Sequence, residues 1–248
     1  MLRFFRHIRK KLMEQNKVRT YLFYAVGEIA LVMIGILLAL QVNNWNQNRI
    51  EDSQLNNYYE RINEELEADL PIQLDFLERN QMIINLSKRT LELLNMDDPD
   101  SLHQLQYSLG AIATAWGSRL SYPVLNEFIS NGYLSKVDNP VLKQKFTDLN
   151  AQTEFTSSID DYIQVQYLHT IEPYVIRTFN YQSVALDRYQ SFLVKGGPTI
   201  NYATLKGDLE LWNVATFKLE ISLLYEEYLK ELIAAQKELS ELLIEELN

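Results

Sequence analysis

The sequence contains no cysteine. Disulfides, thiolate metal sites and a cysteine nucleophile are therefore excluded, and the redox compartment stays open. Histidine is nearly as scarce. His7, His103 and His169 stand far apart, and no Glu-x-x-His pair exists, so the di-iron signature of carboxylate bundles is missing. Neither the G-x-x-x-x-G-K-[ST] phosphate loop, nor G-x-G-x-x-G, nor the G-x-S-x-G elbow occurs. The spacing of serine, histidine and aspartate marks no triad. The sequence thus points to no enzyme, no cofactor and no metal. Glycine and proline are few, eight and six in 248 residues. No low-complexity linker, internal repeat or alternating strand pattern interrupts the helical periodicity. Charge, finally, is lacking from one long run. Between Leu22 and Leu40 only Glu28 can ionise.

That run, LFYAVGEIALVMIGILLAL, organises the chain. At about 1.5 Å per residue it is just long enough for a hydrocarbon core of about 30 Å. It is too long for the apolar region of a cleaved signal peptide, about 7–15 residues. Ala39-Leu40-Gln41 also puts glutamine where a cleavage site needs a small residue. Residues 1–20 hold seven basic side chains against Glu14, a net of +6. The whole chain carries −10, so the remainder carries −16. A basic arm before an uncleaved apolar helix predicts a signal anchor, with the N-terminus cytoplasmic and residues 47–248 periplasmic. The expected divisions are a basic arm at 1–20, a spanning helix at 21–46 and a soluble body at 47–248. An acidic body of this kind is repelled by nucleic acid, which is excluded as a partner.

The arm places Phe4, Phe5, Ile8 and Leu12 at helical spacing beside Arg3, Arg6, Arg9, Lys10 and Lys11. That pattern suits a helix lying among lipid headgroups; the alternative is an irregular arm whose charges only set topology. Tyr21 and Tyr24 at one end of the apolar run and Trp45 at the other suit the two membrane interfaces. At 100° per residue, Glu28 shares a stripe with Gly35 and Ala39. Small residues let helices approach, and a carboxyl within lipid wants a partner, so the stripe predicts a helix–helix contact with another copy or an envelope protein. The plainer account is that Glu28 lies shallow enough to reach the headgroups.

Beyond Trp45 nothing stops the helix before Pro71, where it should end or kink. Leu55, Tyr58, Tyr59, Ile62, Leu66 and Leu70 keep the period. Further helices are expected after Asp98-Pro99, Tyr122-Pro123, Asn139-Pro140 and Asp208, with glycine stops at Gly132 and Gly196-Gly197-Pro198. The apolar positions of the helix that Asn139-Pro140 opens lead up to Pro173. Trp116 is read as part of the helix that Pro99 opens. The acidic run Glu64-Glu65-Leu66-Glu67 reads as a solvated face. The fifteen tyrosines offer either binding surface or interhelical packing with their hydroxyls at the rim. The whole predicts an all-α protein, an antiparallel helical bundle behind a transmembrane helix.

Two stretches resemble a known family. GEIALVMIGILLALQVNNWN, from Gly27 to Asn46, is long and specific; YPVLNEFISNGYLSKVDNPVLKQKF, from Tyr122 to Phe146, is weaker. Both are similar to an uncharacterised family of single-span membrane-anchored proteins from Bacteroidetes-type bacteria, a domain of unknown function. The resemblance covers about a third of the chain. It implies a location and an architecture, with no activity or catalytic residues to carry over. Two functions are then expected: an interaction or scaffold component of the cell envelope, or a periplasmic small-molecule sensing module acting through a membrane partner.

Overall fold

A computed structural model describes residues 18–115, 117 and 120–248. The arm residues Arg3, Arg6, Arg9, Lys10 and Lys11 lie outside the described residues, as does Trp116. Among the described residues the chain is all-α and contains no strand. It divides into two compact units, residues 1–57 and 58–248.

The first unit is helical throughout its described part, which opens α1 (Val18–Asn95). Its eighteen most apolar residues have a mean hydropathy of 2.3, and none is buried. This helix is long and apolar enough to cross a membrane. Its polar continuation, Asn43 to Asn48, keeps helical geometry because no Gly or Pro interrupts it.

The second unit is built on three long helices: α1 from Tyr58 onward, α4 (Pro140–Gln166) and α8 (Leu209–Leu247). Tyr59, Leu66, Gln73, Asn80, Ser87 and Leu94 are buried on α1, every seventh residue. On α8 the buried residues Leu211, Lys218, Tyr225, Leu232 and Leu239 alternate with Ala215, Ser222, Leu229, Gln236 and Leu243 in the same heptads. Spacing of this kind brings one seam of each helix against its neighbour. Asn80 Nδ2 donates to Ser222 O at 2.7 Å, and Gln236 Nε2 to Leu66 O at 2.6 Å, so α8 runs antiparallel to α1. It is also antiparallel to α4, through Lys145 with Glu238 and Gln152 with Glu231.

The crossover between α1 and α4 holds a 3-10 segment (Pro99–Tyr107), α2 (Leu109–Ile112), α3 (Pro123–Ser130) and a second 3-10 turn (Tyr133–Lys136). Asp98, Asn139 and Asp208 cap the following segments with their carboxyl or amide oxygens, as the sequence predicts. Gly132 takes φ 77°, the left-handed geometry of a helix stop. Between α4 and α8 come a π-turn (Tyr167–Ile171), α5 (Glu172–Thr178), α6 (Tyr181–Val184), α7 (Asp187–Gln190) and a 3-10 turn (Tyr202–Leu205). One core cluster joins Leu93, Leu105, Leu109, Ile112, Tyr174 and Leu211.

Of the two outcomes expected of Pro71, an end or a kink, the end does not occur, and Pro173 does not stop its helix. Pro71 lies inside one unbroken α1, which runs on to Asn95. Its missing N–H leaves the Glu67 carbonyl without a helical donor, which costs little because Glu67 is exposed. Pro173 does not end the helix either. The π-turn just before it widens the backbone, and α5 carries the helix on to Thr178.

Candidate functional site

Glu28, Gly35 and Ala39 lie on one stripe of α1, as helical spacing requires. A Cβ built on Gly35 meets nothing within 4 Å. Trp45 is exposed, and Tyr24 is half-buried. Tyr21 belongs to the same helix, and its side chain lies outside the described residues. The stripe is thus assembled by the helix alone.

The second resembling stretch is held in the body by a polar clamp. α3 begins at Tyr122-Pro123, and a tyrosine cannot cap a helix. Glu65 of α1 supplies the missing cap. Its two carboxylate oxygens accept from Val124 N at 2.9 Å and Leu125 N at 3.1 Å. A carboxylate here also faces the positive end of the helix dipole. One turn along α1, Asp69 accepts from the Tyr122 hydroxyl at 2.8 Å and from the Gln73 amide. At the other end of α3, Glu127 accepts from Tyr58 at 2.8 Å and from Arg61 at 3.2 Å. The Tyr58 hydroxyl and then the Arg61 guanidinium hold the exposed Glu127 carboxyl below the usual carboxylate range. Burial, followed by Asp69, pushes the Tyr122 hydroxyl far above its ordinary range. Phe128 packs among Tyr58, Tyr59, Tyr133 and Phe146, with ring centroids 4.8–6.2 Å apart.

Glu65 corrects the reading of the Glu64–Glu67 run as a wholly solvated face. The signal was available in the sequence: a proline start behind a residue that cannot cap needs a carboxylate from elsewhere. Asp69, Glu127 and Lys218 escaped sequence reasoning, because nothing local distinguishes them from surface charges.

Lys218 is buried in the seam of α8, and its ammonium donates to the Thr114 carbonyl. Burial pulls an amine that ordinarily titrates near 10.5 down to about 8. Beside it lies a cavity of about 20 Å³ lined by Phe76, Asn80, Ile163, Ser222 and Tyr225. That space fits about one water molecule. A wider groove of about 500 Å³ opens among Ile176, Phe179, Asn180, Tyr181, Pro198 and Asn201. In the segment between α7 and the 3-10 turn at Tyr202, Phe192 is 85 % exposed and Val194 91 %.

The tyrosines divide. Tyr174 donates to Asp208 at 2.7 Å and Tyr167 to the Ala113 carbonyl at 3.3 Å, both packed between helices. Tyr162 is half exposed. His103 meets the edge of Tyr202 with ring centroids 6.0 Å apart, and His169 is exposed on the π-turn. Among the described residues no three His, Asp or Glu side chains converge as a metal site requires.

The fold and these clusters define an all-α protein with one apolar helix of membrane-crossing length. No family model, no curated protein and no solved structure matches the chain.

Proposed function

We propose that this chain is a single-pass, membrane-anchored interaction component of the cell envelope, with its arm in the cytoplasm and its body in the periplasm. One observation carries the anchor. From Leu22 to Val42, thirteen large apolar side chains stand 53–71 % exposed on α1. Leaving one such side chain in water costs about 1.5–3 kcal/mol relative to burial, and lipid offers that burial to a run of this length. The +6 arm before it supports the orientation, and the motifs at 27–46 and 122–146 support membership of the family they resemble.

An interaction role fits the body better than sensing or catalysis. The cavity beside Lys218 has room for about one water, too little for a signalling ligand. The carboxylates of the α3 clamp are engaged in docking a structural element. The open groove between Ile176 and Asn201 favours the second reading, a small-molecule sensing module acting through a membrane partner. In the membrane, the stripe of Glu28, Gly35 and Ala39 is the proposed contact with another copy or an envelope subunit.

Cysteines introduced singly from Tyr24 to Ala39 test that contact in native membranes. Disulfide yield is expected to follow a helical period peaking on the Glu28 face. Glu28→Gln should keep most of the crosslinking, since an amide still hydrogen-bonds. Glu28→Leu with Gly35→Leu should abolish it. A flat profile, or a peak opposite Glu28, contradicts the contact.

A further inference from the structure

α4 and α8 share a seam, and its outer side is apolar. Three contacts fix the register: Lys145 with Glu238, Gln152 with Glu231, and Phe155 stacked on Tyr228 with centroids 6.3 Å apart. Continued along the pair, this register brings Ile159 level with Leu224 and Gln166 level with Phe217. On the outer flank of α4, Phe155 is 57 % exposed, Tyr162 50 % and Val165 55 %. On the facing flank of α8, Phe217 is 51 % exposed and Leu224 38 %. Phe155 and Tyr162 are seven residues apart, as are Phe217 and Leu224. Two parallel ridges with a heptad repeat form the groove that a further bundle helix fills. Scattered apolar residues on a surface are ordinary; a contiguous set in such a groove marks a docking site.

The rim of this groove has one sign. From Phe146 to Ile176 the sequence contains Asp148, Glu154, Asp160, Asp161 and Glu172, and no lysine or arginine. From Leu209 to Leu229 it contains Glu210, Glu220, Glu226 and Glu227, and its single basic residue is the buried Lys218. Glu154, Asp161, Glu220 and Glu227 are exposed beside the apolar rows. We propose that the outer α4–α8 groove receives an amphipathic helix of a partner protein, apolar on one face and flanked by lysine or arginine. The apolar rows supply the anchor pockets and the carboxylates supply register and on-rate. A second copy is disfavoured, because it brings the same carboxylates against these. Anionic lipid is disfavoured for the same reason. The inference deepens the interaction reading above, and its tests are independent of the membrane anchor.

Two experiments on the full chain in lipid nanodiscs decide it. The first uses a fluorescent Leu/Lys peptide with leucines at i, i+3, i+4 and i+7 as the probe. Phe155→Ser with Leu224→Ser removes central anchors and is expected to weaken binding about thirtyfold while circular dichroism stays unchanged. Glu220→Lys with Glu227→Lys should weaken it about tenfold. The control pair Glu60→Lys with Glu64→Lys, exposed on α1, should change it by less than about twofold. If the control weakens binding as much as the rim pair, the peptide is responding to the overall acidity of the body and the groove is not the site. The second places a photo-crosslinking amino acid at Leu224 in living cells. The expected adduct is a different protein, joined through a segment that is basic and amphipathic. An adduct with a second copy, with lipid or with nothing overturns the proposal. Either failure leaves the anchor's orientation, which is read separately, unaffected.

Discussion

Glu65 replaces the N-cap that Tyr122 cannot provide, and its position decides how α3 sits on α1. Removing it leaves two amide donors at a helix start without a protein acceptor. Glu65→Ala should therefore cost about 1–2 kcal/mol in urea denaturation, and Glu65→Gln less, because one oxygen remains. A loss within error for Glu65→Ala would show the clamp to be incidental. Lys218 gives a prediction in pH. Its amine is pulled from 10.5 to about 8 by burial, so between those values the unfolded chain binds the proton and the folded chain does not. Stability should then rise with pH from about 8 toward 10.5, and be lowest below 8, where folding must bury an ammonium or shed its proton. Lys218→Met should lose this slope in denaturant titrations across that window. A slope equal in both proteins contradicts the assignment. The Tyr122-Pro123 start showed that a cap was missing, but not that Glu65 supplies it, and Lys218 read only as a surface charge, since both owe their role to contacts 59 or more positions away.

At the scale of elements, helical spacing was legible, and proline was a sound guide where it opens a segment and a poor one inside a helix. The apolar positions at Tyr59, Ile62 and Leu66 were readable in advance and are buried, and Asp98, Asn139 and Asp208 cap as their side chains dictate. Pro71 and Pro173 suggested ends, yet α1 runs on to Asn95 and the π-turn carries α4 into α5. The polar residues within the heptads were not readable as core. Gln73, Asn80, Ser87, Ser222 and Gln236 are all buried. The Oε1 atoms of Gln73 and Gln236 and the Oγ of Ser87 have no hydrogen-bond partner among the described residues. Such positions fix register at a cost in stability. Asn80 and Gln236 donate to carbonyls that also belong to helical ladders, so removing both amides strands little. Asn80→Leu with Gln236→Leu should raise the thermal midpoint while lowering amide-exchange protection along α8. A fall in the midpoint would make these amides net stabilisers instead.

At the scale of the molecule, the all-α class followed from a sustained helical period and few breakers. The second unit opens at Tyr58, later than the division expected at residue 47, because α1 stays largely exposed up to Asn57. The candidate surface between α4 and α8 was hidden for a different reason. Its residues are ordinary apolar positions in the sequence, and only the α4–α8 register shows that Phe155, Tyr162, Phe217 and Leu224 face outward together. In the function proposed above, residues 58–248 lie outside the cytoplasm. The most direct test of that placement is protease treatment of spheroplasts carrying tags at both ends of the full chain. Digestion of residues 58–248 with the tag on the arm spared is the expected result. Protection of the body with loss of the arm tag would contradict it.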